Sequence, residues 1–144
     1  MFSERHLTAV TRRGTFLMTI LNVNEPAFEN DESLRRVKSY VIGHFRDGGI
    51  SLQMAAAVAC LEPKHFSKFF HRKVCVTFRS WLRQIRVGEA RKLIEENEKS
   101  ITEIAFQVGY QDLGTFERAF KSETSLCPKH YRHLLSAKNR SLPQ

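Results

Sequence analysis

Apolar residues between positions 31 and 137 recur at intervals of three and four, which is the spacing of one face of an α-helix. The first such stretch carries Leu34, Val37 and Val41, with Tyr40 and Phe45 beside them. Residues that commonly begin or end helices interrupt the pattern. The pattern predicts an all-α fold of about seven helices, over residues 32–45, 52–58, 63–73, 77–96, 101–108, 113–122 and 128–137.

Capping residues stand where several of these helices begin. The side chains of Ser51 and Asp112 can accept hydrogen bonds from the unpaired amides of a first helical turn. Ser100 and Glu103 have the spacing of a capping box, in which each side chain accepts from the other residue's backbone. Pro63 suits a first helical position because its missing N–H would be unpaired there. These signals agree with the predicted helix starts.

Residues 1–30 follow a different pattern. Strand-favouring residues alternate over residues 15–23, and residues 22–31, which include Pro26, are typical of a linker. Because an isolated strand is unstable in water, this extension packs on the body, pairs with another chain or is disordered. It is too short for a ligand-binding domain, so the chain is either a short stand-alone protein or part of a larger one. Residues 138–144 predict a flexible tail.

The region from Ser51 to Phe120 contains one pattern twice, about fifty residues apart. The copies are SLQMAAAVACLEPKHFSKFF and SITEIAFQVGYQDLGTFERAF, and each has a short apolar helix, a turn and a second helix with paired phenylalanines. A repeated helix–turn–helix in a basic chain is typical of proteins that bind two stretches of one DNA duplex. We therefore expect subdomains over residues 31–75 and 100–137, joined by a helix over residues 77–97.

The connecting helix has the right length for this role. About twenty residues at roughly 1.5 Å each give about 30 Å, and successive major grooves on one face of a duplex are about 34 Å apart. One monomer could therefore bind two turns of DNA. The basic residues of this helix either contact phosphates or form ion pairs beside the core; they are Arg79, Arg83, Arg86, Arg91 and Lys92.

Charge and composition narrow the classes of partner. The formal net charge of +8 favours a polyanion, either DNA, RNA or an acidic membrane surface. No apolar run approaches the length of a membrane-spanning helix, which argues against a membrane protein. Cys60, Cys75 and Cys127 lack metal-site spacing and predict free thiols in a reducing cytoplasm. These features indicate a cytoplasmic, nucleoid-associated protein with neither cofactor nor metal.

The second helix of each copy has an apolar side and a polar side. Phe66, Phe69 and Phe70 form the inner stripe of the first copy, and Phe116, Ala119 and Phe120 form that of the second. The outward residues include lysine, arginine, serine and glutamate, whose side chains can hydrogen-bond base edges in the major groove. A solvated helix face explains any one of them taken singly, but the occurrence of two matching copies favours DNA. Glu117 is equally explained as a residue that orients Arg118.

Three motifs follow one another between residues 101 and 132: I-x-x-I-A-x-x-x-G-[FY], F-x-R-x-F-K and x-P-x-x-[YF]-R. Their residues are Ile101, Ile104, Ala105, Gly109, Tyr110, Phe116, Arg118, Phe120, Lys121, Pro128, Tyr131 and Arg132. With these motifs, residues 31–137 resemble the DNA-binding domain of AraC/XylS-type bacterial transcription regulators, and W-L-x-x-I-R-V-x-x-A-x-x-L-I resembles the linker helix of that family. The resemblance implies sequence-specific binding of double-stranded DNA as a monomer, activation of transcription and recruitment of RNA polymerase. A dimer through residues 1–30 is the alternative assembly.

The resemblance also implies which residues contact DNA. The expected base-contacting residues are Lys64, Ser67, Lys68, Leu113, Gly114, Glu117 and Arg118. The expected backbone-contacting residues are His65, His71, Arg72, Lys121, Ser51, Ser100 and Thr115. Because the first copy has more basic outward residues, we expect it to supply much of the base reading, with Arg118 as the main base contact of the second.

The chain departs from the family pattern at several turns. Cys60, Cys75 and Ser125 stand where glycine is usual, and glycine is used where φ is positive. Glu62 and Cys127 stand where serine commonly caps, and losing a cap costs about 1 kcal/mol. Gly114 within a recognition helix adds a similar cost. We therefore expect both motifs to be less rigid than is usual.

Two other classes of function are compatible with parts of the sequence. A helical protein-interaction module that has lost DNA reading is the first alternative, supported by the missing glycines and Gly114. An enzyme is the second, but it lacks a candidate site. His130 and His133 lie three residues apart on one helix, and no carboxylate or cysteine with suitable spacing completes a metal site. The sequence therefore predicts a protein that is not an enzyme.

Overall fold

The computed structural model describes residues 23–141. These residues form eight α-helices and no strand: α1 (Pro26–Asn30), α2 (Glu32–His44), α3 (Leu52–Val58), α4 (Pro63–Val74), α5 (Phe78–Glu96), α6 (Ile101–Gln107), α7 (Leu113–Thr124) and α8 (Pro128–Arg140). The all-α fold class is confirmed, and the seven predicted helices end within three residues of their expected positions. The strand predicted over residues 15–23 lies outside the described residues apart from Val23.

Helix α1 lies where the sequence predicted a linker. Phe28 of α1 is only 2% exposed. Its ring stacks on Trp81 at a centroid distance of 5.1 Å and meets Phe70 edge-on at 6.1 Å. Asn24, just before α1, donates from its backbone N–H to the carbonyl of Val74 over 3.0 Å. The linker prediction over residues 22–31 was therefore wrong, because five residues are too few for periodicity to reveal a helix that tertiary packing stabilises.

The end of the chain also differs from expectation. The sequence predicted a loose tail from residue 138, but α8 continues to Arg140. Lys138 and Arg140 are good helix formers, and no glycine or proline interrupts the run after Pro128. The Arg140 side chain donates back to the carbonyl of Ser136. The last helix therefore extends three residues beyond its predicted end.

The described residues form two compact units, and the first comprises residues 23–44 and Ile50–Ile85. Its described part contains α1 to α4 and the beginning of α5. An aromatic cluster fills its core; the cluster consists of Phe28, Phe66, Phe70, Phe78 and Trp81. Burying each such ring contributes roughly 1.5–3 kcal/mol, so the rings provide much of the driving force for folding this unit.

Within the described residues, the second unit comprises Phe45–Gly49 and residues 86–141. The later part of α5 packs with α6 and α7 around an aliphatic and aromatic core; its buried residues are Val87, Ala90, Leu93, Ile94, Ile101, Ile104, Ala105, Val108, Phe116, Ala119 and Phe120. The segment Phe45–Gly49, which joins α2 to α3 along the chain, is part of this unit. Residues 31–75, expected as one subdomain, therefore include five residues that pack with the second unit.

The turns carry the backbone conformations that the missing glycines predicted. Cys60, Cys75 and Ser125 have φ values of 58°, 71° and 66°. Asn97, after α5, has a φ of 55°. A left-handed conformation costs a residue with a side chain roughly 1–2 kcal/mol. These turns therefore form in their expected geometry at a cost in stability. Within residues 23–141, no helix is long and apolar enough to cross a membrane.

Candidate nucleic-acid interface

Helix α4 presents a polar face opposite its aromatic one. Phe66, Phe70 and Val74 are fully buried, and Phe69 is half-buried. The exposed residues on the other side lie at intervals of three and four and share one face; they are Lys64, Ser67, Lys68 and His71. Three of these four are the residues expected to contact bases in the first copy. The expected backbone-contacting residues His65 and Arg72 are also exposed on α4.

The turn before α4 has the hydrogen bonds of a tight helix end. The N–H of Leu61 donates to the carbonyl of Ala56 over 2.9 Å, and the N–H of Cys60 donates to that of Ala57. Cys60 supplies the left-handed residue that this pattern requires. At the start of α4, Pro63 occupies the first turn, and the Glu62 side chain makes no cap hydrogen bond. Helix α4 therefore begins without a side-chain cap, as the sequence indicated.

The second turn repeats this geometry with glycine in the key position. The N–H of Tyr110 donates to the carbonyl of Ala105 over 3.0 Å, and that of Gly109 donates to Phe106. Gly109 has a φ of 104°, which side chains rarely allow. The two copies of the motif thus have matching turns, although one uses cysteine and the other glycine.

The first turn of α7 holds a short chain of polar contacts. The Asp112 carboxylate caps the helix by accepting from the Thr115 N–H over 2.8 Å and from the Thr115 hydroxyl over 2.7 Å. Arg118 donates to the same hydroxyl over 3.2 Å. These bonds to Thr115, with a smaller contribution from the charge of Arg118, lower the pKa of Asp112 below its ordinary value. Asp112 is therefore held as an anion beside the guanidinium of Arg118.

The remaining residues of α7 divide between core and solvent. Phe116, Ala119 and Phe120 form the buried stripe. Gly114, Arg118 and Lys121 share the opposite face by their spacing, and Arg118 and Lys121 are exposed. Glu117 is half-buried. Leu113 packs against the core, so only part of its side chain is available to a thymine methyl group.

Three of the expected backbone-contacting residues use their hydroxyls within the protein. Ser51 accepts from the N–H of Met54 at the start of α3. Ser100 and Glu103 form the predicted capping box, with bonds of 3.1 and 2.8 Å. Thr115 links Asp112 to Arg118, as described above. Any contact of these three residues with phosphate would therefore involve helix-terminal amides or a shared hydroxyl.

The sequence left the roles of the basic residues on α5 open, and the structure separates some of them. Arg86 is 9% exposed and donates to the carbonyls of Phe45 and Asp47. Arg91 donates to the Tyr131 hydroxyl over 3.2 Å. The sequence did contain a signal for Arg86, which lies four residues after Leu82 and four before Ala90, within the apolar stripe. Arg86 and Arg91 thus make contacts within the protein.

The other sites considered from the sequence have no structural support within the described part of the chain. No group of three histidine, cysteine, aspartate or glutamate side chains that could hold a metal occurs there. His130 and His133 are exposed on α8. Cys60, Cys75 and Cys127 are exposed free thiols. The polar faces of α4 and α7 remain the candidate sites.

Comparison with known proteins finds a matching helix-turn-helix family model and relatives that are transcriptional regulators. A family model described as a helix-turn-helix domain matches residues 55–133, more than half of the chain. The arabinose operon regulatory protein of Escherichia coli K12 is 26% identical over 102 residues, which are 71% of this chain and 35% of that protein. An uncharacterised HTH-type transcriptional regulator of Staphylococcus aureus is 31% identical over 103 residues, 72% of this chain and 14% of that one. The chain therefore spans at most about a third of the length of these relatives.

Solved structures give the same answer for the fold. The C-terminal domain of AraT, a response regulator from Geobacillus stearothermophilus, superposes with a TM-score of 0.69 at 29% identity, covering 72% of this chain and 86% of that one. The DNA-binding domain of AdpA, a transcriptional factor solved in complex with a target DNA, gives a TM-score of 0.71 at 21% identity. That match covers 78% of this chain and all of the other, and it supports the fold.

Proposed function

The chain belongs to the AraC-type helix–turn–helix family, and from this membership we propose that it regulates transcription by binding specific sequences of double-stranded DNA. The observation that carries the proposal is the repeated division of α4 and α7 into a buried aromatic face and an exposed face with basic residues. Cations on an exposed face neutralise phosphates, and the polar groups between them can hydrogen-bond bases.

In the first motif we propose that Lys64, Ser67 and Lys68 contact bases. Lysine can donate to guanine O6 and N7, and serine can donate or accept. The exposure of all three on one face of α4 supports this assignment. His65, His71 and Arg72 are proposed to contact the phosphate backbone, because they flank that face and are themselves exposed.

In the second motif we propose that Arg118 is the main base contact. Its exposure and its contact with Thr115 support this role. Glu117 could accept from cytosine, Leu113 could touch a thymine methyl group, and Gly114 allows close approach of the helix backbone. Lys121, Thr115 and the amides at Ser51 and Ser100 are proposed to contact phosphates.

The finer parts of the proposal are activation of transcription, contact with RNA polymerase and binding of DNA as a monomer whose recognition helices enter successive major grooves. Family membership supports them, and each has its own test. A reporter assay distinguishes activation from repression, and the length of the protected DNA shows whether one or two grooves are contacted. Analytical ultracentrifugation of the full chain on DNA distinguishes a monomer from a dimer formed through residues 1–30. We place this activity in the cytoplasm, at the nucleoid.

Selection of bound sequences from a random duplex pool is the primary test of the proposed function. We expect a consensus sequence to emerge, and a labelled duplex carrying it to bind at moderate salt much more tightly than a shuffled duplex of equal length. The shuffled duplex is the control for sequence-independent electrostatic binding, which weakens steeply as the salt concentration rises. Equal affinity for the consensus and shuffled duplexes would refute the proposal.

A protein-interaction module is the second candidate, favoured by the strained turns at Cys60, Cys75 and Ser125 and by the uncapped start of α4. Such features lower the rigidity that base reading requires. This candidate predicts a stable complex with a protein partner together with no mobility shift on any selected duplex. A selective mobility shift would exclude loss of DNA reading.

A further inference from the structure

We propose that Arg86 positions the recognition helix α7 by fastening the segment Phe45–Gly49 to the turn between α6 and α7. This inference rests on the proposed function, since it concerns how α7 is presented to DNA. Arg86, the segment, the turn and α7 all belong to the second unit.

Arg86 is a buried arginine whose hydrogen bonds go to backbone carbonyls. Its Nε donates to the Phe45 carbonyl over 2.9 Å, and its Nη2 donates to the Asp47 carbonyl over 3.0 Å. Burial lowers the pKa of Arg86, and burying a charged guanidinium is costly unless its donors are satisfied. The planar guanidinium meets two carbonyls at once, which the single ammonium of lysine does not reproduce. Arg86 thereby fixes both ends of a three-residue stretch of the segment.

The same guanidinium contacts the turn of the second motif. Its Cζ lies 5.5 Å from the centre of the Tyr110 ring, within the range of a cation–π contact. A Cβ built on Gly109 would lie 2.9 Å from Arg86 Nε and 2.5 Å from the Phe45 carbonyl oxygen. Gly109 is therefore required for close packing as well as for its positive φ. Arg86 fits between the segment and the turn.

The segment also approaches the turn closely at Gly48. A Cβ on Gly48 would lie 3.2 Å from the Gln111 side-chain nitrogen and 3.5 Å from the Gly109 carbonyl oxygen. Arg46 pairs with Glu89 of α5 over 2.7 Å, and Glu89 is 18% exposed. Contacts on both sides of Asp47 thus hold the segment in place. The five residues between α2 and α3 serve as a support for the second motif.

Packing between aromatic rings connects the turn between α6 and α7 to α7 itself. The rings of Tyr110 and Phe116 lie 5.5 Å apart, and the rings of Phe116 and Phe120 lie 5.7 Å apart. Phe116 and Phe120 are the buried stripe that sets the rotation of α7 about its axis. A shift of Tyr110 would therefore change the direction in which Arg118 and Gly114 face. Arg86 acts on α7 through Tyr110, so we class it as a positioning residue.

The test uses the full chain, the selected duplex and the variants Arg86→Lys and Arg86→Met. Each half of the footprint is first assigned to a motif with two single-cysteine chains, one retaining Cys60 and the other Cys127. A DNA-cleaving reagent attached to that cysteine marks the DNA nearest to it. In both Arg86 variants, we expect the protein concentration that gives half-maximal protection to rise at least tenfold in the part of the footprint assigned to the second motif. The half assigned to the first motif should change less than threefold. Arg36→Met, an exposed arginine on α2, is the control for lost positive charge.

Hydrogen exchange separates positioning from unfolding. In Arg86→Lys we expect faster exchange of the Gly109 and Tyr110 amides, which donate to the carbonyls of Phe106 and Ala105, while the amides within α7 keep their protection. Unchanged protection of DNA by the second motif, equal loss in both halves of the footprint, or lost amide protection throughout the second unit would each overturn the proposal. A wild-type chain that protects no sequence would instead refute the proposed function, and the exchange rates of the turn amides in Arg86→Lys would then test the fastening by itself.

Discussion

Arg118 donates through Nη2 to the hydroxyl of Thr115, 3.2 Å away and one turn earlier on α7. Thr115 in turn donates to the carboxylate of Asp112, which caps the helix. The guanidinium therefore lies along the first turn of the recognition helix, the part that meets base edges in this class of motif. Because ordering a side chain before binding reduces the entropy lost on binding, this contact favours a role for Arg118 in sequence-specific binding of DNA.

Replacement of Arg118 by alanine should weaken binding to the selected duplex by about 1–3 kcal/mol if the guanidinium reads guanine. The size of the loss should depend on the base at one position of the duplex only, because a base contact carries sequence information and a phosphate contact does not. Competition assays with duplexes substituted at each position would measure it. A loss of equal size on all duplexes would instead assign Arg118 to the phosphate backbone.

Two helix caps should make stability depend on pH in the acid range. Hydrogen bonds to Thr115 lower the pKa of Asp112 below its ordinary value of 3.8, and bonds to Ser100 lower that of Glu103 below 4.5. A carboxyl whose pKa is lower in the folded state stabilises the fold above its unfolded pKa. That stabilisation is lost as the pH falls through the folded pKa. The melting temperature should therefore decrease as the pH is lowered past about 4.5, in part because these two capping carboxylates become protonated.

The variants Asp112→Asn and Glu103→Gln test this prediction. Each should reduce the slope of melting temperature against pH in the acid range, since each removes one titrating cap. Glu62→Gln is the matched control for the change in charge, because Glu62 stands at a helix start without making a cap hydrogen bond. An unaltered slope in both variants would contradict the prediction.

The parts of the fold that the sequence predicted well depend on neighbouring residues. Ser100 and Glu103 form their capping box, and Cys75 and Ser125 have the positive φ that a usual glycine position implies. Such features are set within one or two turns of the chain, so local pattern is sufficient to predict them. The same holds for the aromatic stripes of α4 and α7, which periodicity alone assigns to the core.

The parts that the sequence missed depend on distant partners. Helix α1 forms because Phe28 packs on Phe70 and Trp81, more than forty residues away. The segment Phe45–Gly49 packs with the second unit because Arg86 satisfies its carbonyls. A five-residue helix and a turn have no periodicity of their own. Arg86 has the residue type of a phosphate-binding arginine, and only its position in the apolar stripe between Leu82 and Ala90 indicated a buried role. The base contacts of α4 and α7 stay a prediction.

Glycine at the strained helix ends should stabilise the chain. Cys75 and Ser125 adopt φ values of 71° and 66° at the ends of α4 and α7. Relief of roughly 1–2 kcal/mol of strain is partly offset by the extra freedom of glycine in the unfolded chain. We expect Cys75→Gly and Ser125→Gly to raise the free energy of unfolding by up to about 1 kcal/mol each.

Urea denaturation followed by circular dichroism would measure these changes. Ala57→Gly, at an exposed position within α3, is the matched control and should lower stability by about 0.5–1 kcal/mol. If glycine destabilises the chain at residues 75 and 125 as it does at residue 57, the positive φ values carry no strain.

Lysines on the two recognition helices should differ in their salt dependence. Lys121 is proposed to contact phosphate, so Lys121→Ala should weaken binding to all duplexes. It should also reduce the slope of log binding constant against log salt concentration by about one. Lys68 is proposed to contact a base, so Lys68→Ala should cost about 1–3 kcal/mol on the selected duplex and relax specificity at one position. Lys138→Ala, at an exposed site in the last turn of α8, controls for net charge. Binding titrations at several salt concentrations would separate the two roles, and equal slopes and equal specificity in the Lys68 and Lys121 variants would contradict the assignment.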